Sequence, residues 1–307
     1  MWTNKRRIQR AFEKVEKDIN LLKSQNREII AQLNHTRNAN VWISSIQKKQ
    51  ESNGPSKKKV IILSAGKGER LRPYTENSPK SLLELANGKT ILETQLKSIE
   101  EANCIDEVII VAGYRIEQVL AKLKGYNKIP IRVLHNPFYE VSNNLMTLWI
   151  AKEYLEDYFI IVNGDDVFKP KLLKDLVEKQ KEKSACMVVS KKKAYDLDDM
   201  KVVTKNGRVS RVGKDIISSN ATGESIGMIK FTNNDAQRFR TILSNMAFEK
   251  ENLNKFWLTA IQRFIDEGNT LHTSVCTPED WAELDFHGDL KNIRSKWEQY
   301  VKKFKNW

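Results

Sequence analysis

The residues best suited to chemistry stand together in Val60-Ile-Ile-Leu-Ser-Ala-Gly-Lys-Gly-Glu-Arg-Leu-Arg-Pro-Tyr-Thr-Glu-Asn-Ser-Pro-Lys80. Val60 to Leu63 is an apolar, β-branched-rich run of the kind buried on both faces of a parallel sheet. Gly66 and Gly68 let the backbone behind it turn tightly and present its amides to an anion. Leu63, Ala65, Gly66, Lys67 and Gly68 are therefore the candidate nucleotide contacts. Arg70, Arg72 and Lys80 supply fixed positive charge for phosphate oxygens. A buried strand, a glycine turn and clustered cations in this order suit a nucleoside triphosphate.

Two commoner glycine loops are excluded. A dinucleotide fingerprint needs a third glycine at position 71, which is Leu71, and a Walker loop needs Lys-Ser or Lys-Thr after its second glycine. Gly88-Lys89-Thr90 imitates the end of a Walker loop, but the glycine required five positions earlier is Leu83.

Carboxylates that could hold a cation occur in two further places. In a parallel α/β sheet, ligands gather beyond the carboxyl ends of the strands. Asn163-Gly164-Asp165-Asp166 follows the apolar run Phe159 to Val162 in that position. Asp166 is the alternative ligand to Asp165, or a cap for the helix beginning near Pro170. In Trp281-Ala-Glu-Leu-Asp-Phe-His-Gly-Asp-Leu290, Glu283 and Asp285 alternate on an expected strand, so both would face one side and could share a cation with Asp165. The other reading of that pair is a solvated strand face. Asp289 reads as a cap of a helix from Leu290, and His287 is the only histidine near a motif.

Gly66-x-Gly68-x-Arg70, then Pro73-x-Thr75, then Pro79-Lys80 resemble the signature of the nucleotidyltransferases that make nucleotide-activated sugars and alcohols. The resemblance extends to Gly164-Asp165 and to Glu283-x-Asp285. Val111-Ala-Gly-Tyr-Arg115, His135 to Leu148 with its Asn143-Asn144 pair, and Glu224 to Phe231 look most like the bacterial phosphocholine and 2-aminoethylphosphonate cytidylyltransferases. What this implies is a nucleotide-diphospho-sugar transferase-like α/β fold, CTP as donor, and a small phosphorylated or phosphonate amino-alcohol as acceptor. It also implies Mg²⁺ on Asp165, Glu283 and Asp285, with Arg70 and the loop amides on the leaving pyrophosphate and Lys80 at the reacting phosphorus. Gly113, Tyr114, Asn143 and Asn144 fall near the base or the acceptor. A choline-like head would call on aromatic faces. The candidates are Tyr139, Trp149, Tyr195, Trp257 and Trp281, with Glu224 as counter-charge, although Trp149 and Trp257 on apolar helices read rather as core. Two rivals stand beside this reading: a sugar-1-phosphate nucleotidyltransferase, and a coiled-coil adaptor with an inactive transferase fold.

The elements that must position these residues alternate as in a mostly parallel, mixed sheet flanked by helices. After the strand at Val60, the pattern predicts helices over 90–102, 115–123, 143–155 and 170–181, and strands over 107–112, 131–135, 158–162 and 185–190. Short strands over 201–204, 208–212 and 226–231 read as an antiparallel addition. Helices over 235–247 and 255–267, a last strand and a basic terminal helix complete the catalytic domain, 60–307.

Ahead of it, Ile8, Val15, Leu22 and Ile29 at d and Phe12, Ile19, Asn26 and Leu33 at a form a heptad seam with one polar member. Residues 1–50 thus read as a coiled coil, making a homodimer, or as an amphipathic helix docked on its own catalytic domain. Residues 51–59 read as a linker by their turn residues and charge. Of the formal net charge of +13, residues 1–59 carry +9 and residues 291–307 carry +5, which leaves the middle near neutral. That distribution does not mark a nucleic-acid-binding fold. No apolar run approaches the roughly 20 residues of a bilayer span, and no secretory h-region follows the basic start. The expectation is a cytoplasmic protein whose three dispersed cysteines, Cys104, Cys186 and Cys276, are reduced thiols.

Overall fold

The computed structural model describes residues 56–85, 88–180 and 182–285, with 288, 289 and 295 beyond them. The heptad seam, His287 and the basic terminal helix lie outside the described residues.

Strand β1 (Lys59–Ser64) is apolar on both faces and is buried accordingly: Ile61 and Leu63 enter one core layer, Val60 and Ile62 the other. It lies parallel between β2 (Glu107–Ala112) and β4 (Tyr158–Asn163), and β2 pairs in turn with β3 (Ile131–His135), also parallel. The remaining strands are β5 (Asp166–Phe168), β6 (Ala185–Ser190), β7 (Lys201–Lys205), β8 (Arg208–Gly213), β9 (Gly223–Thr232), β10 (His272–Cys276) and β11 (Trp281–Glu283). Nine of these form one sheet in the order β3-β2-β1-β4-β9-β6-β10-β8-β7, while β11 and β5 make a separate antiparallel ribbon.

Helices α1 (Ile91–Ala102), α2 (Ile116–Leu123) and α4 (Pro170–Lys174) pack on the layer holding Val60 and Ile62. Helices α3 (Asn144–Ile150), α5 (Asn233–Ala247) and α6 (Leu258–Asp266) cover the opposite face. There Phe159, Phe231, Phe239 and Phe264 stack and meet edge to face, the geometry aromatic rings prefer. Helix α1 starts where its sequence directs: Thr90 accepts from the Glu93 amide while Glu93 accepts from the Thr90 amide, a reciprocal capping box.

The α/β architecture is the expected one, with four differences. Strand β9 is longer than 226–231 and runs antiparallel between β4 and β6 in the middle of the sheet, instead of in an addition at its edge. Helix α3 stops at Ile150 and tightens into a 3₁₀ turn (Lys152–Tyr154), after which Leu155 is fully buried. Helix α4 passes at Asp175 into a π turn (Asp175–Lys179). The β5–β11 ribbon is the fourth, and it seats a small third core of Leu71, Leu83, Leu85, Ile91, Val167 and Leu284. This core clamps the ends of the glycine loop to the ribbon that carries Glu283.

Candidate active site

The glycine loop and the acidic turn are neighbours because β1 and β4 are neighbours. Leu63 and Asn163 stand in register at the carboxyl ends of the two strands, and the Gly164 amide donates to the Leu63 carbonyl at 2.9 Å. Gly68 takes φ 66°, the left-handed region, and a Cβ there would stand 3.0 Å from Lys80 Cβ and 3.1 Å from Thr75 Cγ2. Thr75 Oγ1 donates to the Gly68 carbonyl at 2.7 Å, so the Pro73-x-Thr75 motif fastens the loop it follows.

Asp165, Glu283 and Asp285 converge although 118 or more residues separate the first from the others in sequence: one oxygen from each lies within 4.8 Å of the other two. The ribbon makes this possible, since Glu283 pairs with Asp166 and the Leu284 amide donates to the Asp165 carbonyl at 3.1 Å. The expected strand stops at Glu283, and Asp285 sits just beyond it, its amide donating to Asp289 Oδ2 at 2.9 Å. Asp289 thus holds Asp285, and the helix it was expected to cap lies outside the described residues. On the other side Gln95, a fully buried polar side chain of α1, donates from Nε2 to the carbonyls of Asn163 and Asp166 at 2.8 and 2.7 Å.

Lys80 enters the middle of the cluster. Its Nζ donates to Asp165 Oδ2 and Asp285 Oδ1, 2.7 Å each, and Arg70 Nη1 donates to Asp285 Oδ2 at 2.8 Å. Burial alone would lower the Lys80 pKa, but the Asp165 and Asp285 charges outweigh it and raise it. Asp285 is held below the usual carboxylate range, the Lys80 and Arg70 charges overcoming its own burial. Glu283 opens to the cleft yet lies deep among protein atoms. That desolvation first, then the charges of Asp165 and Asp285, push it up to about 8. It has no hydrogen bond or ion pair with a described residue. Asp166, buried with neither oxygen hydrogen-bonded, is pushed well up by burial and by Asp165 and Glu283. It stands behind the cluster in β5, as neither ligand nor helix cap. Three hard oxygen donors this close, with one carboxylate unpartnered and destabilised by like charge, form a donor set that fits a divalent cation such as Mg²⁺.

These groups line one cleft of about 430 Å³, which also takes in Leu63, Ala65, Gly66, Gly68, Tyr139, Asn143, Asn144, Glu224 and Trp281. Asn143 caps α3, accepting the Asn144 amide at 2.7 Å, and Asn144 Oδ1 accepts the Trp257 amide at 2.8 Å. Trp257 is core, as expected, yet its Nε1 donates to Asn163 Oδ1 at 3.0 Å and so fixes a cleft side chain.

Five expected site residues do not line the cleft, among them Arg72, whose guanidinium pairs with Glu69 at 3.5 Å. Gly113 is a close-packing position: a Cβ there would stand 2.7 Å from both the Ala65 oxygen and Tyr139 Cβ. Tyr114 bonds through its hydroxyl to the Glu76 carbonyl and meets Tyr139 edge to face, bracing the loop from behind. Lys67 pairs with Glu140 at 2.8 Å. Tyr195 lies beneath the ammonium of Lys192, 6.0 Å from its ring centre. Conversely, the cleft gains residues that sequence reasoning missed. Lys214, just after β8, lines it near Glu283 and Asp285 with its ammonium 4.8 Å from the Phe256 ring centre. Asp198 and Asp199 line its far end. Neither has a pattern to announce it, whereas Gln95 could have been found as a polar side chain on the apolar face of α1, between Leu92 and Ile99.

A family model described as nucleotidyl transferase matches residues 59–209. The choline-phosphate cytidylyltransferase of Streptococcus pneumoniae is 39% identical over 118 residues, 38% of this chain and 49% of that enzyme. The CTP:phosphoglutamine cytidylyltransferase of Campylobacter jejuni is 28% identical over 255 residues, covering 76% of this chain and 97% of that one. The chain spans no more than about half the length of some of the curated relatives it matches, the first of these two among them. In fold, the solved structure of the CTP:phosphocholine cytidylyltransferase of S. pneumoniae superposes with a TM-score of 0.63 at 22% identity, covering 78% of this chain and 99% of that one. Over residues 59–209 the chain is similar to the nucleotidyl transferase family, and over 255 residues to a cytidylyltransferase. Among the described residues no helix is long and apolar enough to cross a membrane.

Proposed function

We propose that this protein is a CTP-dependent cytidylyltransferase that transfers CMP to a small phosphorylated or phosphonate amino-alcohol, phosphocholine or 2-aminoethylphosphonate, and releases pyrophosphate. The observation that carries this reading is the meeting of Lys80 and Arg70 with Asp165, Glu283 and Asp285 beside the glycine loop in one cleft. The relatives named above, both cytidylyltransferases, support the choice of nucleotide.

The chemistry needs no protein nucleophile. A phosphate or phosphonate oxygen of the acceptor attacks the α-phosphorus in line, that oxygen–phosphorus bond forms, and the bond to the bridging oxygen of pyrophosphate breaks. The loop from Ala65 to Gly68 holds the triphosphate by its amides, and Arg70 takes the charge of the departing pyrophosphate. Lys80, held by two carboxylates, is pre-positioned at the reacting phosphorus and keeps its proton throughout. Lys214, which lines the same cleft near Glu283 and Asp285, meets the acceptor's phosphate. Mg²⁺ held by Asp165, Glu283 and Asp285 would supply neutralisation of the phosphate oxygens and so lower the repulsion between donor and acceptor. Asn143 and Asn144 orient the bound ligands from the start of α3.

CTP as donor fits a cytoplasmic enzyme, and the heptad seam of residues 8–33 would join two copies of it. The test is pyrophosphate release from each of the four common NTPs with phosphocholine, 2-aminoethylphosphonate or a mixture of sugar 1-phosphates. Release with CTP and an amino-alcohol acceptor alone is expected. Release with a sugar 1-phosphate instead would overturn the proposal in favour of a sugar nucleotidyltransferase.

A further inference from the structure

The far end of the cleft, away from Lys80, is lined by Asp198, Asp199 and Glu224. Two of these carboxylates are already engaged. Lys192 Nζ lies 2.7 Å from Asp199 Oδ2 and 2.8 Å from Glu224 Oε2, with both carboxylates largely shielded. The arrangement is built from several directions. Glu224 is fixed in β9 opposite Ser190 and Lys201. Asp199 Oδ2 also accepts the Asp196 amide at 2.6 Å. Behind the loop, the fully buried ammonium of Lys201 donates to the carbonyls of Asp196, Leu197 and Asp199 at 2.9, 3.3 and 3.4 Å.

A trimethylammonium head has no N–H and binds only through net opposite charge and aromatic faces. Both are partly taken. Lys192 takes one oxygen of each carboxylate in the pair, halving its charge, and lies over the Tyr195 ring, while the rings of Phe256 and Tyr139 have Lys214 and Lys67 over them at 4.8 and 5.9 Å; among the described residues Trp281 is a cleft ring with no cation over it. A primary ammonium brings three N–H donors. It would find Asp199 Oδ1 and Glu224 Oε1, which have no donor among the described residues, and the exposed carboxylate of Asp198.

We infer that Lys192 is an acceptor-selecting residue: by occupying the carboxylate pair and the Tyr195 face, it fits the far end of the cleft to a head with N–H donors and against a quaternary ammonium. This rests on the cytidylyltransferase reading and divides its two acceptors.

The experiment measures kcat/KM of the full chain with CTP and Mg²⁺ for phosphocholine, phosphoethanolamine and 2-aminoethylphosphonate, in the wild type and in Lys192→Met and Lys192→Arg. The wild type is expected to prefer the two primary amines. Lys192→Met should improve phosphocholine about tenfold, mainly through KM, the worth of one desolvated cation–π contact. Lys192→Arg, which keeps the charge, should retain the wild-type preference. If Lys192→Met does not fold, Lys192→Met with Glu224→Gln removes both charges together and should lose the preference for primary amines. Equal or better use of phosphocholine by the wild type, or a preference unmoved by a folded variant lacking the Lys192 charge, overturns the inference while leaving the cytidylyltransferase reading intact. No turnover of any of the three with CTP, but turnover of a sugar 1-phosphate, overturns both.

Discussion

Lys80 shows how one side chain can serve structure and chemistry at once. Its ammonium bridges Asp165 and Asp285, and so holds together two carboxylates that would otherwise repel each other across the donor set. Replacing it with alanine is expected to lower kcat by about 10²–10³-fold, the scale of losing one charge-stabilising donor at a reacting centre. Its aliphatic stem packs against the loop and not in a core layer, so the fold should persist, with a lowered melting temperature because Asp165 and Asp285 lose the charge between them. Near-normal turnover would remove Lys80 from the mechanism. Its place was legible because Pro79-Lys80 closes a motif with fixed spacing. Lys192 and Lys214 were not, because nothing in Lys191-Lys192-Lys193 or in the turn after Gly213 tells which lysine points inward. Only the packed loop and the strand register decide that.

At the level of elements, the acidic turn is positioned by α1 and by the ribbon. Gln95 satisfies two carbonyls at 2.8 and 2.7 Å from inside the core, so Gln95→Leu leaves both unpaired. It should cost about 1–3 kcal/mol in urea unfolding and lower kcat about tenfold as Asp165 shifts. Unchanged kcat with lowered stability would show that the turn holds itself. The turn leading into β11 is fastened by Asp280, which takes the Thr277 amide and hydroxyl at 3.2 and 2.9 Å and pairs with Lys171 at 2.7 Å and Lys169 at 3.4 Å. Burial pushes its carboxyl up, but Lys171 and Thr277 outweigh that and hold it below the ordinary value. Its folded pKa is therefore lower than its unfolded one, and its charge stabilises the fold at neutral pH. That contribution fades as pH falls through the folded-state value. Asp280→Asn should be less stable than wild type by about 1–2 kcal/mol at pH 7, and the two unfolding curves should converge in acid. A gap that stays constant with pH would mean that the carboxylate acts by shape alone. The alternation of long strands and amphipathic helices was readable from the sequence because each exceeds one period of its pattern. The β5–β11 ribbon was not: three-residue strands fall below any period, and their pairing is set by the third core beneath them.

On the scale of the whole molecule, the catalytic cleft closes within residues 56–289, while the heptad seam belongs to a stretch with its own periodicity. The seam supports two arrangements, a coiled coil between copies or a helix docked on its own catalytic domain, and both require the same apolar stripe. They differ in what a charge placed in the seam does. If Ile19 occupies an a position between two chains, Ile19→Lys in the 307-residue chain should halve the mass seen in light scattering and leave kcat/KM unchanged, because every cleft residue named above comes from one chain. Asn26→Ile sharpens the distinction: a buried asparagine at a specifies oligomer number at a cost in stability, so its removal should give a more stable assembly of mixed size. In the docked arrangement Ile19→Lys would leave the mass unchanged and lower the melting temperature instead, and Asn26→Ile would leave the size distribution as it was. Retained mass in both variants therefore rejects the coiled coil, and loss of half the mass with full turnover places assembly and catalysis in separate parts of the chain.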